Sequence, residues 1–433
     1  LTLFMSGLPE KAPDISEERK GPRIDAPQQA VDGFLRSVDL NLDQLEVKRD
    51  GNVDKYFALI EKPGRICTQI VAEALEKTIR TFPWPKSMRW GASSLKWVRP
   101  LQGILCIFIR DDEHQLIELQ IDGIHSDVRT AGHRFMAPDY FKVKDFEDYK
   151  RKLRDAYVIL DHKERAEIIL NDANNLAFAN GLDLIHDGAL LEEVSGLVEW
   201  PVALLGEVDT AFSDLPAEVL QASMKEHQKF FSLKNSKTGK IERFITVANI
   251  EAADNGETIL KGNQKVLYAR LSDAKFFWEN DIRLIQKDGL DAWLGKLVNV
   301  TFHNKLGSQA DKVTRVSALT KILAKRLLCD IEDAVKSANI CKSDLASEMV
   351  YEFPELQGVM GRYYALSAGY SQDVAKVCEE HYAPKGPNDP VPKASISVAV
   401  SLADKLDTLL GFWIIDEKPT SSKDPFALRR AAL

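Results

Sequence analysis

The spacing of apolar residues predicts a mixture of helices and strands over about the first 250 residues. Residues 66–80, "ICTQIVAEALEKTIR", repeat apolar positions at helical spacing. Two more helical stretches are expected at about 145–180 and 216–229, the second opened by Pro216. The runs with strand character are "KYFALIEKPGR", expected to form a short hairpin, then "GILCIFIR", "LIELQIDGI", "LVEWPVALLGEV" and "RFITVANI".

From about residue 257 onward the pattern is helical throughout. Pro354 suits a first helical turn, where its missing N–H is not needed, and Gly369 suits a left-handed C-cap. Ser371 is expected to cap the next helix, and Asp424 with Pro425 to start the last one. The segment "PELQGVMGRYYAL" carries two glycines three residues apart, which we place on one face of a helix for close packing.

This change of pattern along 433 residues predicts an α+β protein with more than one domain. We expect an N-terminal remnant and linker at 1–60, a mixed α/β module at 61–256 and an all-helical domain at 257–433. The N-terminal sequence has neither an initiator Met nor the charge order of a signal peptide, so we interpret it as a chain entered part-way.

Composition indicates a cytoplasmic protein without membrane contact. Hydrophobic residues make up 45% of the chain and charged residues 28%, as in ordinary globular proteins. No apolar run approaches the roughly 20 residues of a membrane helix. The five cysteines are far apart and form no CxxC motif, which favours a reducing compartment over a disulfide framework or a zinc knuckle.

The helical part contains candidates for a degenerate metal site. His303, Asp344 and Asp404 follow an order that resembles the ligands of metal-dependent phosphohydrolases named for their His-Asp (HD) doublet. In that superfamily two His and two Asp hold a metal that activates water. Here the doublet position reads Ser343-Asp344, so one imidazole is missing. We favour an inactive, structural version without metal over the alternative, an active HD-type phosphohydrolase acting on nucleotides or RNA ends.

The net charge of −8 means that binding to a polyanion has to come from local patches. Residues 82–100, "FPWPKSMRWGASSLKWVRP", interleave four cations with three tryptophans. Either the cations bind phosphates while indoles stack on unpaired bases, or the tryptophans are core and the cations line its rim. The candidates for RNA binding are Lys86, Arg89, Trp90, Lys96 and Arg99, and in weaker patches His133, Arg134, Lys225, His227, Lys423, Arg429 and Arg430.

Motifs of independent catalysis are missing from the sequence. It contains no GxxxxGK[ST] phosphate loop, no GxGxxG after a strand and no GxSxG elbow. No Cys/His pair has the context of a nucleophile. The residues therefore offer no catalytic centre of their own.

Several long strings resemble the β-subunit family of the bacterial heterotetrameric glycyl-tRNA synthetase. They include "MRWGASSLKWVRPLQGI", "LLEEVSGLVEWPVALLGEV", "GNQKVLYARLSDAKFFWENDI", "MVYEFPELQGVMGRYYA" and "KDPFALRRAAL", and the resemblance runs from about residue 1 to the end. One departure is Gln264, where the family motif reads Glu.

The resemblance implies an α2β2 aminoacyl-tRNA synthetase, a ligase that attaches glycine to tRNA(Gly) with ATP and Mg²⁺. It implies that the class II active site belongs to the α subunit, and that the β subunit binds tRNA and carries no cofactor. The mixed module would be similar to the B3/B4 module of phenylalanyl-tRNA synthetase β chains, followed by the degenerate HD-type domain. It also implies that the family's first fifty or so residues and its C-terminal anticodon-binding domain are missing here.

Overall fold

A computed structural model describes residues 1–111, 113–386, 388–421 and 423–432. The chain forms two compact units, Leu1–Leu160 and Asp161–Leu433. Both combine helices with sheets, so the predicted α+β class is confirmed. The boundaries predicted near residues 60 and 256 stay a prediction.

The described residues of the first unit form small sheets and three α-helices. Its strands are β1 (Ile15–Arg23), β2 (Glu46–Asp50), β3 (Val53–Lys62), β4 (Ile104–Leu105), β5 (Ile107–Arg110), β6 (Glu113–Leu116), β7 (Gln120–Ile121), β8 (Ile124–Asp127), β9 (Arg129–Ala131) and β10 (Tyr140–Lys142). All pairs among these described strands are antiparallel except β4 with β8. Its helices are α1 (Gln28–Val38), α2 (Cys67–Thr81) and α3 (Phe146–Asp155). The predicted helix at 66–80 is therefore confirmed as α2.

The N-terminal residues form a three-stranded sheet in the order β1-β3-β2, with α1 packed beside β1. The predicted hairpin was placed wrongly. "KYFALIEKPGR" is mostly strand β3, and the hairpin turn precedes it, at Gly51 with φ of 68° between β2 and β3. Farther along, α2 contributes Leu75 and Ile79 to a small core around Leu119 and Ile121.

The second unit begins with a sheet covered by helices on both faces. Its strands are β11 (Asp183–Leu184), β12 (Val202–Glu207), β13 (Phe231–Lys234), β14 (Ile241–Ala248), β15 (Thr301–His303) and β16 (Gly307–Ser308). Its helices are α4 (His162–Ala179), α5 (Gly188–Leu197), α6 (Ala217–Gln228), α7 (Glu257–Asp288), α8 (Asp291–Lys296), α9 (Gln309–Leu327), α10 (Ile331–Ile340), α11 (Glu348–Glu352), α12 (Val359–Ser367), α13 (Gln372–Glu380), α14 (Ser395–Ile414) and α15 (Leu428–Ala431).

Strands β11-β13-β14-β12 form an antiparallel four-stranded sheet, in which the predicted strands "LVEWPVALLGEV" and "RFITVANI" pair as β12 and β14. Successive side chains of β14 point to opposite faces. Ile245 packs in the core with α4 and α5, whereas Phe244 packs in the core with α6 and α7. This two-sided burial explains why the strand reads as a continuous apolar run.

The helical pattern after residue 257 is confirmed apart from the short hairpin β15–β16. One core gathers around Trp293, Met349 and Tyr364. A second lies where α9, α10, α13 and α14 meet, around Val316, Ala338 and Val400. Pro354 starts a 3₁₀ turn, and Ser371 caps α13 by accepting the N–H of Val374, as predicted.

The predicted helical stretch 145–180 is confirmed as α3 and α4, with Tyr157 at a φ of 60° between them. Two other predictions about helices were wrong in detail. Gly358 does not lie inside a helix; it precedes α12 with a φ of 84°. The last helix does not start at Asp424, which instead accepts the N–H of Leu428 at the beginning of a single turn.

Candidate nucleic-acid interface and predicted metal centre

The segment 82–100 follows α2 as an extended stretch. It is closed by an isolated antiparallel bridge in which Met88 N–H donates to the Trp97 carbonyl at 2.8 Å. The ring of Trp84 lies 4.5 Å from that of Phe82 and 4.9 Å from that of Trp97, while Trp90 packs against the core around Leu119. The tryptophans are therefore half-buried packing groups, as the second of the two interpretations expects.

The cations of this segment lie on its surface. Lys86, Arg89, Lys96 and Arg99 are all exposed. The loop beneath them is held by Asp122, whose carboxylate accepts the N–H of Leu95 at 2.9 Å and the Ser93 hydroxyl. Accepting these hydrogen bonds, and pairing with Arg80, lowers the pKa of Asp122. The segment thus offers a cationic rim, and its contact with RNA stays a prediction.

His133 and Arg134, predicted together, have different environments. The His133 side chain is buried, and its Nδ1 accepts the backbone N–H groups of Phe135 and Met136 at 3.3 and 3.2 Å. Arg134 is exposed, with its guanidinium carbon 5.6 Å from the Phe135 ring centroid. Only Arg134 of the pair is therefore placed to touch a ligand directly.

The predicted pair on α6 is engaged within the protein. The Lys225 ammonium lies 2.6 Å from the carboxylate of Asp187, the residue that caps α5. The His227 ring is exposed and meets the ring of Phe353 edge-on, with centroids 6.1 Å apart. The positive charge of Lys225 is thus already balanced, which weakens its case as a phosphate ligand.

Near the C-terminus, Lys423, Arg429 and Arg430 are exposed around α15. The guanidinium of Arg429 donates to the Thr420 carbonyl, so one of its hydrogen-bonding faces is used locally. Contact of these three cations with RNA stays a prediction.

The three residues predicted as a degenerate metal site do not form one group. His303 is at the end of β15, with Nε2 3.3 Å from a Glu417 carboxylate oxygen and its ring against Phe412 and Phe426. Among the described residues, no group of three or more His, Cys, Asp or Glu side chains is arranged to hold a metal ion.

Asp344 is completely buried in the 3₁₀ turn Ser343–Ala346. Its Oδ2 accepts the N–H of Gly358 at 2.5 Å and that of Gly361 at 3.0 Å. Burial raises the pKa of Asp344 to about 6, although these two donors act in the opposite direction. The two glycines therefore supply donors to a buried carboxyl, a role that their spacing alone does not reveal.

Asp404 on α14 is held by two lysines that sequence reasoning missed. The ammonium groups of Lys312 and Lys342 each lie 3.2 Å from a different oxygen of this carboxylate, and both lysines are buried. Burial alone would raise the pKa of Asp404, but the two ammonium groups outweigh it and hold the pKa well below its usual range. Lys312 also reaches Asp407, which pairs with Arg315 at 2.6 Å.

This arrangement does not fit a divalent metal. Two fixed ammonium groups already neutralise Asp404, and a metal ion would have to displace both. A second histidine, His381, is buried nearby and was also missed; burial lowers its pKa to about 3, and its Nδ1 lies 2.8 Å from the Val377 carbonyl. The active phosphohydrolase alternative gains no support from these contacts.

A family model described as "Glycyl-tRNA synthetase beta subunit" matches residues 1–433. The chain belongs to the glycyl-tRNA synthetase beta subunit family. The resemblance predicted from the sequence motifs is thereby confirmed.

Curated relatives in this family bear the name "Glycine--tRNA ligase beta subunit". The protein from Ruegeria sp. (strain TM1040) is 60% identical over 434 residues, covering all of this chain and 63% of the relative. Those from Dinoroseobacter shibae and Paracoccus denitrificans are 60% and 58% identical, again over all of this chain and over 60% and 63% of the relatives. The chain thus spans about three fifths of the length of these family members.

Two further observations concern the described part of this chain. None of the described helices combines the length and the apolar character needed to span a lipid bilayer. All five cysteines carry free thiols, and Cys67, Cys341 and Cys378 are buried.

Proposed function

We propose that this chain acts as part of the β subunit of a bacterial glycine–tRNA ligase and binds tRNA(Gly). The observation that supports this most directly is the family match over all 433 residues. In this proposal an α subunit supplies the class II active site and uses ATP and Mg²⁺, the assembly is α2β2, and it works in the cytoplasm. This chain then holds no cofactor.

The arrangement of charge in the chain is compatible with a binding role. The interior carboxylates Asp404 and Asp407 are neutralised by lysine and arginine partners, whereas the cations of the segment 82–100 face outward on a chain of net charge −8. Outward cations on an acidic chain favour local contact with phosphates over general attraction to polyanions.

We further propose that the mixed part of the chain is B3/B4-like and that the helical part is a degenerate HD-type domain. The four-stranded sheet with helices on both faces supports the first assignment. The second is supported by the buried Asp344 and the partly buried Asp404 on separate elements of the helical part, with Lys312 and Lys342 in place of a cationic metal.

Co-purification with the α subunit, followed by a glycine-charging assay on matched tRNA, tests the proposed function. The β subunit is expected to bind α and tRNA and to support charging only together with α. Glycine loading by the isolated chain would contradict the placement of the active site on the α subunit. Failure to bind either α or tRNA would contradict the proposed β-subunit function.

The cationic rim can be tested by the salt dependence of tRNA binding. Each phosphate contact contributes about one to the slope of log K against log salt. Replacing Arg89, Lys96 and Arg99 by Ala is expected to lower the slope by up to about three. A triple variant of exposed lysines in the helical part, Lys287, Lys321 and Lys325, serves as the control and should leave the slope unchanged.

A further inference from the structure

The hairpin β9–β10 carries an exposed aromatic ring that the sequence analysis did not select. Phe135 lies in the loop between the two strands, and 71% of its surface is exposed. A single exposed apolar residue is common on a protein surface, so exposure alone does not indicate a contact. Phe135 differs from the others in its place on a structured loop beside several exposed cations. The tryptophans of 82–100, by contrast, pack against one another and the core.

Contacts below the loop fix its shape. The backbone N–H of His133 donates to the Ala156 carbonyl at 2.8 Å, and its carbonyl accepts the N–H of Ala137 at 2.9 Å. The imidazole of His133, only 1% exposed, accepts the N–H groups of Phe135 and Met136. Because these contacts hold the backbone of the tip, the side chains of Arg134 and Phe135 are displayed on a preorganised turn.

The charge around the loop favours a polyanion as the partner. Residues 128–144, "VRTAGHRFMAPDYFKVK", contain four cationic residues and one acidic residue. Arg129 is paired with Asp127, but Arg134, Lys142 and Lys144 are exposed. Aromatic faces stack on any unpaired base, and a neighbouring guanidinium can bind the flanking phosphate. A protein partner would cover the ring equally well but would not account for the excess of cations.

We propose that Phe135 stacks on an unpaired base of the bound RNA, with Arg134 on the adjoining phosphate. His133 is then a positioning residue, which shapes the loop through its Nδ1 and does not touch the RNA. This inference rests on the proposed function and assigns the single-stranded part of the RNA to one loop of the first unit.

The test measures tRNA affinity of the 433-residue chain at several salt concentrations. Phe135→Ala is expected to weaken binding about tenfold with an unchanged salt slope, because stacking involves no ion release. Arg134→Ala should lower the slope by about one. Phe178→Ala, which removes another exposed phenylalanine (87%) from helix α4, is the matched control and should bind as the unchanged chain does.

Fluorescence gives a second readout that does not depend on tRNA. Phe135→Trp should bind RNA normally, and a short single-stranded oligonucleotide should quench the new indole. Adding His133→Ala should abolish the quenching, whereas His133→Asn, whose Oδ1 can accept the same two N–H groups, should restore it. Circular dichroism verifies that each variant folds. If the His133→Ala variant does not fold, the His133→Asn variant still tests the role of His133.

The outcomes separate this inference from the proposed function. If the unchanged chain binds tRNA and Phe135→Ala binds equally well, the inference is wrong and the proposed function stands. If Phe135→Ala loses the α subunit but not RNA, the ring belongs to a protein contact and the inference is overturned. If the chain does not bind tRNA but the Phe135→Trp indole is quenched by the oligonucleotide, the proposed function fails and the inference stands.

Discussion

Replacing Asp344 by Asn should stabilise the protein at neutral pH and leave it nearly unchanged in acid. The carboxyl is completely buried, and burial raises its pKa from 3.8 to about 6 in the folded chain. At about 1.4 kcal/mol for each pKa unit of difference between the folded and unfolded chain, the contribution of Asp344 to the free energy of unfolding is about 3 kcal/mol lower above pH 6 than below pH 4. Asn has nearly the same shape and no charge to bury.

The sign follows from proton binding. Between about pH 4 and 6 the folded state binds the Asp344 proton more tightly than the unfolded state does. The contribution of this group to stability is therefore fully present below pH 4 and is lost as the pH rises to about 6. His381 acts in the opposite direction, because burial lowers its pKa to about 3 and the unfolded chain takes up its proton first. Only the difference between variant and unchanged chain isolates Asp344.

Urea unfolding at intervals from pH 4 to 8 measures this difference. The free energy of unfolding of Asp344→Asn, minus that of the unchanged chain, is expected to rise with pH and to level off near 3 kcal/mol above pH 6. Asp344→Ala is the matched control. It also removes the titrating carboxyl, but leaves the Gly358 and Gly361 N–H groups without an acceptor, so it should be about 2–4 kcal/mol less stable than Asp344→Asn at every pH. A difference for Asp344→Asn that does not change with pH would refute the reasoning.

Two further predictions concern the helical part. Gly358→Ala should lower the free energy of unfolding by about 2–4 kcal/mol more than Gly369→Ala, by thermal or urea unfolding. Both glycines have positive φ, 84° and 86°. A Cβ at Gly358 would lie 2.8 Å from a backbone oxygen, whereas a Cβ at Gly369 would meet nothing within 4 Å. Equal costs of the two substitutions would contradict the role of this close contact. Lys342→Met should cost about 3–5 kcal/mol, because Asp404 loses a buried partner. Lys336→Met, which removes an exposed ion pair with Glu332, is the control and should have little effect. A small effect at Lys342 would show that Asp404 does not depend on it.

Local signals in the sequence predicted the fold class and several helix ends. Pro354 and Ser371 fulfil their roles through their own backbone or a neighbour within three residues, so spacing along the chain is sufficient to find them. Gly358 could not be placed in this way. Its conformation is linked to the carboxylate of Asp344, 14 residues earlier, and such a contact has no local signature.

The candidate site shows the same limit. Residue type and order predicted the carboxylates Asp344 and Asp404 but not Lys312 and Lys342, because lysines are usually exposed and nothing near either lysine in sequence predicts burial. Both lysines are buried where α9, the end of α10 and α14 meet. Alternation of cations and rings likewise identified the exposed cations of 82–100 but could not distinguish packed tryptophans from an exposed ring such as Phe135.

The two interior carboxyls of the helical part explain together why it offers little to a metal ion. Burial raises the pKa of Asp344, because its two neutral N–H donors do not offset the loss of water, whereas the two ammonium groups beside Asp404 outweigh burial and lower its pKa. A divalent cation needs both carboxyls ionised and directed at one point. Here the charge of one is already balanced, and an oxygen of the other is occupied by two backbone donors. These fixed contacts suit a structural core, so the RNA contacts that we propose lie elsewhere, on the exposed cations of 82–100 and on the Phe135 loop.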